Sequence, residues 1–308
     1  MNIIDRNFSD LVREIESLSQ QEIYLKIRSA FEKVPEETRD SCIAFFRNYN
    51  FWGILDPQAG IYDQIAGKAQ TLAEHISDFQ WLYDRLCDYR SKKTLYAILS
   101  NWYRYDFTST TETKEYLFDS YFDLDVIRCG KDEVIVNLGA YTGDTVLSYI
   151  KNYGEDCYKK IYCYEITSQT FNFLRENLRF CRNIDFRLKG IGDTQTSMFI
   201  KENEASSSAN TLGGDSGEEI GVTTLDDDIK EPISLIIADI EGFEQKAILG
   251  ARKHILQDHP KLLISVYHNN EDLWKIPRMI HDISPDYQFY LRYKSSPIYP
   301  TEITLLAV

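Results

Sequence analysis

The sequence predicts an α/β chain in which an all-helical part over residues 1–122 precedes, over 123–308, a mostly parallel sheet with helices on both faces. Two observations carry this expectation. The hydrophobic period changes near Asp123, and from there short β-branched runs alternate with helical stretches.

In the first part apolar residues recur every three or four positions, as on a helix with one buried stripe. Leu11, Ile15 and Leu18 form one stripe, and Ile23, Leu25, Ile27 and Phe31 begin a second. Phe79, Leu82, Tyr83 and Leu86 form a third, and Leu95, Ile98, Leu99 and Trp102 a fourth. Ser9, Asp78 and Ser91 stand where helix N-caps are expected, and Pro35 and Pro57 mark starts or breaks. Trp52, Trp81, Trp102, Tyr103 and Tyr105 read as helix-packing core.

In the second part the expected strands are Val134–Leu138, Ile161–Tyr164, Phe186–Lys189, Leu235–Ala238 and Leu262–Tyr267. Helices are expected from Thr145, around Gln169–Phe180, over Glu244–Leu256 and over Asp272–Ile283. Tyr287–Tyr293 and Ile303–Val308 follow with no helix between them, which suggests an antiparallel hairpin at one sheet edge. Residues 201–222, rich in Ser, Gly and Asn, read as a long surface loop with little to bury.

Composition narrows the function. The net charge is -14, with 34 basic against 48 acidic residues, so an extended phosphate-binding surface is excluded. Six cysteines without a C-x-x-C pair suit reduced thiols better than disulfides or a zinc site. Neither a signal peptide nor an apolar run of the roughly 20 residues that span a bilayer is present, so the chain is expected to be cytoplasmic, with no membrane insertion.

Ligands of parallel sheets bind beyond the carboxyl ends of the strands. The first strand ends in Asn137-Leu-Gly139-Ala-Tyr141-Thr-Gly143-Asp144-Thr145, where glycines permit a sharp turn and close backbone approach. The turn lacks G-x-G-x-x-G, and Asp144 beside the helix start would repel a diphosphate. A carboxylate there suits a ligand with a positive amino group, such as S-adenosylmethionine, better than NAD. The second strand ends in Glu165-Ile166, where an acid accepts from both hydroxyls of a ribose. Gly192-Asp193 after the third strand is a lesser candidate for the adenine.

The fourth strand leads into Asp239-Ile-Glu241-Gly242-Phe-Glu244, three carboxylates where helix capping needs fewer. The fifth ends in Val266-Tyr267-His268, which makes His268 the one histidine at an expected ligand edge. A histidine ordinarily titrates near pH 6.5, so His268 is the first candidate base, with Asp239 and Glu241 orienting it, positioning an acceptor or replacing it. A divalent metal on Asp239, Glu241 and Glu244 ranks below the metal-free reading.

Together these motifs resemble the FkbM-type methyltransferase family, over residues 123–308. The matching parts are hydrophobic-x-x-G-A-Y-x-G-D-T at 136–145, Glu165, Thr224-Leu-Asp226, Asp239-Ile-Glu-Gly-x-Glu244, Pro260-x-Leu, Val266-Tyr-His268 and Tyr290-Leu-Arg292 with Glu302. The resemblance implies a Rossmann-like class I sheet, S-adenosylmethionine as cofactor, and methyl transfer to a hydroxyl of a sugar, glycan or natural product. It implies cofactor contacts from Asn137, Gly139, Tyr141, Gly143, Asp144, Thr145, Glu165, Ile166, Asp193 and Asp239. Two positions depart from the family: Asn137 stands where it usually has Asp, and Ile237 where it often has Lys. Two other readings compete, a nucleotide-cofactor oxidoreductase, against which Asp144 speaks, and a non-catalytic scaffold with a degenerate cofactor site.

Overall fold

The amphipathic stripes of the first part become helices capped by short polar side chains. A computed structural model describes residues 2–49, 52–118, 121–203 and 205–308. Its first elements are α1 (Ile3–Glu16), α2 (Gln20–Glu32), α3 (Glu36–Asn48), β1 (Leu55–Asp56), β2 (Ile61–Tyr62), α4 (Asp63–Arg85), α5 (Tyr89–Arg104) and α6 (Phe107–Thr113). Asn2 with Asp5, and Ser19 with Glu22, form reciprocal capping boxes at α1 and α2.

The expected caps are corrected. Ser9 lies inside α1 and donates back to the carbonyl of Asp5, as mid-helix serines do. Asp88 caps α5 by accepting from Ser91 N–H, so Ser91 is the third helical residue. Asp78 lies within α4, where the break behind the expected start is a non-helical residue at His75. Leu25 is also corrected. It is exposed, because two residues beyond Ile23 the helix has turned its side chain away from the buried face.

Two compact units are distinguished: residues 1–116, 266–277 and 288–304 in the first, and 117–265, 278–287 and 305–308 in the second. In the first, Phe8 stacks on Tyr83 at 3.8 Å between ring centroids, and Arg292 is buried with its guanidinium 2.7 Å from Asp88. Trp52 and Trp102 are core, as expected, but they also surround a charge. Lys68 is buried with its ammonium 5.4–6.0 Å from the ring centroids of Phe46, Trp52, Trp102 and Tyr105.

The second part adds β3 (Val134–Leu138), α7 (Asp144–Tyr153), β4 (Lys160–Glu165), α8 (Ser168–Asn177), β5 (Ile184–Leu188), β6 (Gly190–Ile191), β7 (Thr196–Lys201), β8 (Thr211–Gly214) and β9 (Glu219–Thr223). It continues with α9 (Leu225–Asp228), β10 (Leu235–Ala238), α10 (Glu244–Gly250), α11 (Arg252–Gln257), β11 (Lys261–Ser265), α12 (Asp272–Ile283), β12 (Phe289–Tyr293) and β13 (Ile303–Ala307). The large sheet has the order β12-β13-β11-β10-β3-β4-β5, and its β11, β10, β3, β4 and β5 run parallel. The chain moves outward from β3 to β5 and then returns to β10 on the other side, so the order reverses between β3 and β10. Binding crevices open at such switch points.

The reading of 201–222 as a structureless loop is corrected, with residue 204 outside the described residues. The segment carries β8 and β9, which join β7 and β6 in a second sheet of order β6-β9-β7-β8. Ile200, Leu212, Ile220 and Val222 form its small core. These few apolar residues are widely separated, with glycines and serines between them, so the sequence shows no alternation. Among the described residues no helix is long and apolar enough to cross a membrane.

Burial pushes the Lys68 ammonium down to about pH 7 from an ordinary lysine value. As pH falls from about 10 the unfolded lysine gains its proton first, so folding loses stability until the folded group also titrates. Lys68→Met should therefore raise the melting temperature at pH 7, by the equivalent of about 1–4 kcal/mol, and lose that advantage near pH 10. Thermal denaturation across that range tests this; a lower melting temperature at pH 7 would mean that the four rings outweigh desolvation.

Candidate cofactor and active site

The crevice at the switch point depends on a position without a side chain. At Gly139 the chain leaves β3 with φ +76°, and a Cβ there would stand 1.9 Å from the carbonyl oxygen of Asp239. Gly139 and Ala140 N–H both donate to the carbonyl of Tyr164 on β4, and Asp239 N–H donates to Leu138 on β3. The ends of three strands are thereby tied together at the crevice.

A concave cleft opens there, beyond the carboxyl ends of the strands where ligands of parallel sheets bind. Gly139, Tyr141, Glu165, Ile166, Asp239 and Glu241 line it, as the sequence suggested. Glu165 is buried; one carboxylate oxygen accepts from the N–H groups of Ile166 and Thr167, both at 2.9 Å, and the other from Tyr141 at 3.1 Å. Burial pushes its carboxyl above the usual glutamate value, and these three donors pull the other way.

Other expected contacts stand elsewhere. Asp144 is exposed in the first turn of α7, Thr145 is buried behind it, and Gly143 caps the helix with φ +94°. Asp193 is exposed, and the cleft is instead lined beyond β5 by Lys189, Gly190 and Ile191. Asn137 is buried within β3, and its Nδ2 has no hydrogen-bond partner among the described residues. Its register partner on β10 is Ile237. The two departures from the family pattern are thus neighbours on one face of the sheet.

The three carboxylates after β10 separate in role. Glu244 is fully buried and accepts from Ile240 and Gly242 N–H, at 2.8 and 3.0 Å, so it holds the turn that opens α10. Asp239 accepts from the Tyr121 hydroxyl at 2.5 Å. Glu241 adopts φ +54°, unusual for a side-chain-bearing residue, and its carbonyl accepts from Thr211 on β8 at 2.8 Å. His268 is buried in the first unit, its ring 4.1 Å from that of Tyr267, whose carbonyl accepts from the Trp52 indole.

Several contributors escape sequence reasoning. Ser207, Ser208, Asn210 and Leu212, from the segment read as a loop, line the cleft, as does Phe243. Tyr121 belongs to no motif. Lys189 pairs with Asp228 at 2.9 Å, and Tyr164 donates to the same carboxylate. Such long-range partners carry no local signal.

The geometry is that of a small-molecule crevice in a class I α/β sheet, and comparisons with known proteins agree. The methyltransferase FkbM domain model matches residues 137–293, just over half of the chain, and the chain belongs to that family. The crystal structure of methyltransferase FkbM from Methylobacillus flagellatus KT is similar with a TM-score of 0.66 and 27% identity, over 78% of this chain and 60% of that one. This chain thus spans less than two thirds of that structure's length. An rRNA methylase from Streptococcus thermophilus matches with TM-score 0.37 and 16% identity, over 58% and 88% of the two chains. Fibrillarin from Aeropyrum pernix, with natively bound S-adenosyl-L-methionine, matches with TM-score 0.38 and 15% identity, over 58% and 67%. No curated protein matches by sequence.

Gly154 separates close approach from backbone strain, because it has φ +96° but nothing within 4 Å of an added Cβ. Gly139→Ala should cost at least about 2 kcal/mol more than Gly154→Ala in chemical denaturation, since only the former drives a methyl into backbone. Equal costs would show that the strand ends separate freely.

Proposed function

We propose that the chain transfers a methyl group from S-adenosylmethionine to a hydroxyl of a small-molecule or glycan acceptor. One observation carries the reading: the backbone-lined crevice at Gly139 has a buried carboxylate, Glu165, at the end of the neighbouring strand and Asp239 at the end of the other. Gly139 and Tyr141 would bring backbone to the cofactor, Glu165 would accept from its ribose, and Ile166, Leu212 and Phe243 would pack on its flat base. When bound, the cofactor supplies a methyl group already activated by a sulfonium. What is left to the protein is to orient the acceptor oxygen and take its proton.

His268, placed just after the fifth parallel strand, is the proposed base. Asp239, held by Tyr121, is proposed to position the acceptor. The net charge of -14 supports a neutral or small acceptor rather than nucleic acid.

Calorimetry with S-adenosylmethionine, S-adenosylhomocysteine and NAD tests the reading; preference for NAD, or binding of none, would overturn it. Glu165→Ala should weaken cofactor binding by roughly tenfold or more, the worth of a charge-assisted hydrogen bond pair. Because the Glu165 carboxyl is raised and the ribose needs the ionised form, affinity should begin to fall on acidification before an ordinary glutamate would titrate. Flat affinity through the acid range would argue against that contact. His268→Ala should lower turnover by about 10²–10⁴-fold and leave cofactor affinity nearly unchanged. Unaltered turnover would remove it as the base.

A further inference from the structure

β5 ends the large sheet, and among the described residues no strand pairs with its outer edge. Such an edge offers a row of backbone donors and acceptors to another chain. The direction of these groups follows from the inner pairing. Asn183 accepts from Ile161 and Lys189 donates to Glu165, so the odd-numbered residues direct their amides toward β4. By alternation, Ile184, Phe186 and Leu188 direct theirs outward.

The side chains alternate in the complementary sense. Ile184, Phe186 and Leu188 share the face that packs toward α8, where the Phe186 ring meets Phe171 edge to face. Asp185 and Arg187 share the other face, only partly buried, with the Arg187 Nε 2.8 Å from one Asp185 oxygen, the Lys160 ammonium 3.1 Å from the other, and Asp228 3.9 Å from the guanidinium. An open groove lies at the start of this strand, lined by Phe171 and Arg175 of α8, by Ile184, Asp185 and Phe186, and by Lys160 of β4. Leu188 at the strand end is 38% exposed.

Natural edges are commonly blunted by proline, by like charges or by a covering element. β5 has no proline, and its two charges are opposite in sign and two residues apart. That spacing makes Ile-Asp-Phe-Arg-Leu self-complementary under a two-fold axis. In an antiparallel pair centred on Phe186, Asp185 faces Arg187 of the partner subunit, and Ile184 faces Leu188 of the partner subunit. Phe186 would exchange both backbone bonds with its own copy, and no outward amide between Ile184 and Leu188 would be left over.

We infer that β5 is the interface of a symmetric homodimer in which two copies of this chain join edge to edge into one continuous sheet. A two-fold interface uses the same patch twice, and this strand satisfies that demand in charge, apolar face and hydrogen-bond direction together. The inference is independent of the methyltransferase reading.

Sedimentation equilibrium of the full chain tests it. A short paired edge buries little surface, so concentrations up to on the order of 100 µM are needed. The expected result is reversible association toward twice the 35.9 kDa chain mass. Asp185→Arg and Arg187→Asp should each weaken self-association by roughly tenfold or more, because each places like charges opposite one another. An equimolar mixture of the two variants should associate again, since the opposed charges are then complementary. Leu188→Lys, at an exposed site with no hydrogen bond to lose, should weaken association and leave the melting temperature unchanged. A wild-type chain that stays monomeric overturns the inference. So does a dimer that none of these variants weakens, or a variant mixture that associates no better than its components.

Discussion

The crevice exists because the first parallel strand leads straight into a residue without a Cβ. At Gly139 the backbone passes so close to the carbonyl of Asp239 that even a methyl group would occupy the space of that oxygen. That approach keeps the ends of β3 and β10 together while the chain turns away on either side, toward α7 and toward α10. Every lining residue inherits its place from it. Tyr141 is lifted into φ +45° two residues beyond, and its N–H reaches Glu165. Glu241 takes φ +54° two residues beyond Asp239 and is held by Thr211. Unfavourable backbone on both sides of one crevice is tolerated because neighbouring hydrogen bonds over-determine it.

The second sheet has a functional consequence that its composition hides. β7, β8 and β9 have only a four-residue core, yet they carry Ser207, Ser208, Asn210 and Leu212 to the cleft and anchor them through Thr211. A bare loop would have to be ordered by the ligand, at the cost of its conformational entropy. A small sheet delivers polar side chains already placed. Class I sheets owe their different substrates to additions of this kind rather than to the parallel strands.

What was legible in the sequence follows physical range. The parallel strands and their helices were readable because a strand buried on both faces needs a nearly continuous apolar run, as Leu235–Ala238 has throughout and Val134–Leu138 has apart from Asn137. Gly139, Glu165 and Asp239 were readable because turn chemistry and strand ends are local. The second sheet was not, since Ile200, Leu212 and Ile220 are too far apart to show a period. Nor were Tyr121 and Lys189, whose roles come from partners 118 and 39 residues away. The helix caps were misplaced by the same logic. Ser9 and Ser91 have the right chemistry, but a neighbour, Asn2 or Asp88, is better placed.

The two departures from the family pattern, separate in sequence, form one physical event in the sheet. Asn137 and Ile237 are register partners, so an acid and a lysine there would be side by side in a buried strand pair. Losing either alone would strand a charge in the core, whereas replacing both with neutral side chains removes the pair's attraction and its desolvation together. In this sheet both amide hydrogens of Asn137 are without a partner among the described residues. Acids and one lysine, Lys189, face the cleft. Of these, Glu165 is answered by backbone N–H groups and Asp239 by the Tyr121 hydroxyl, neither of which carries a full positive charge. The lysine in turn is paired with Asp228 at 2.9 Å.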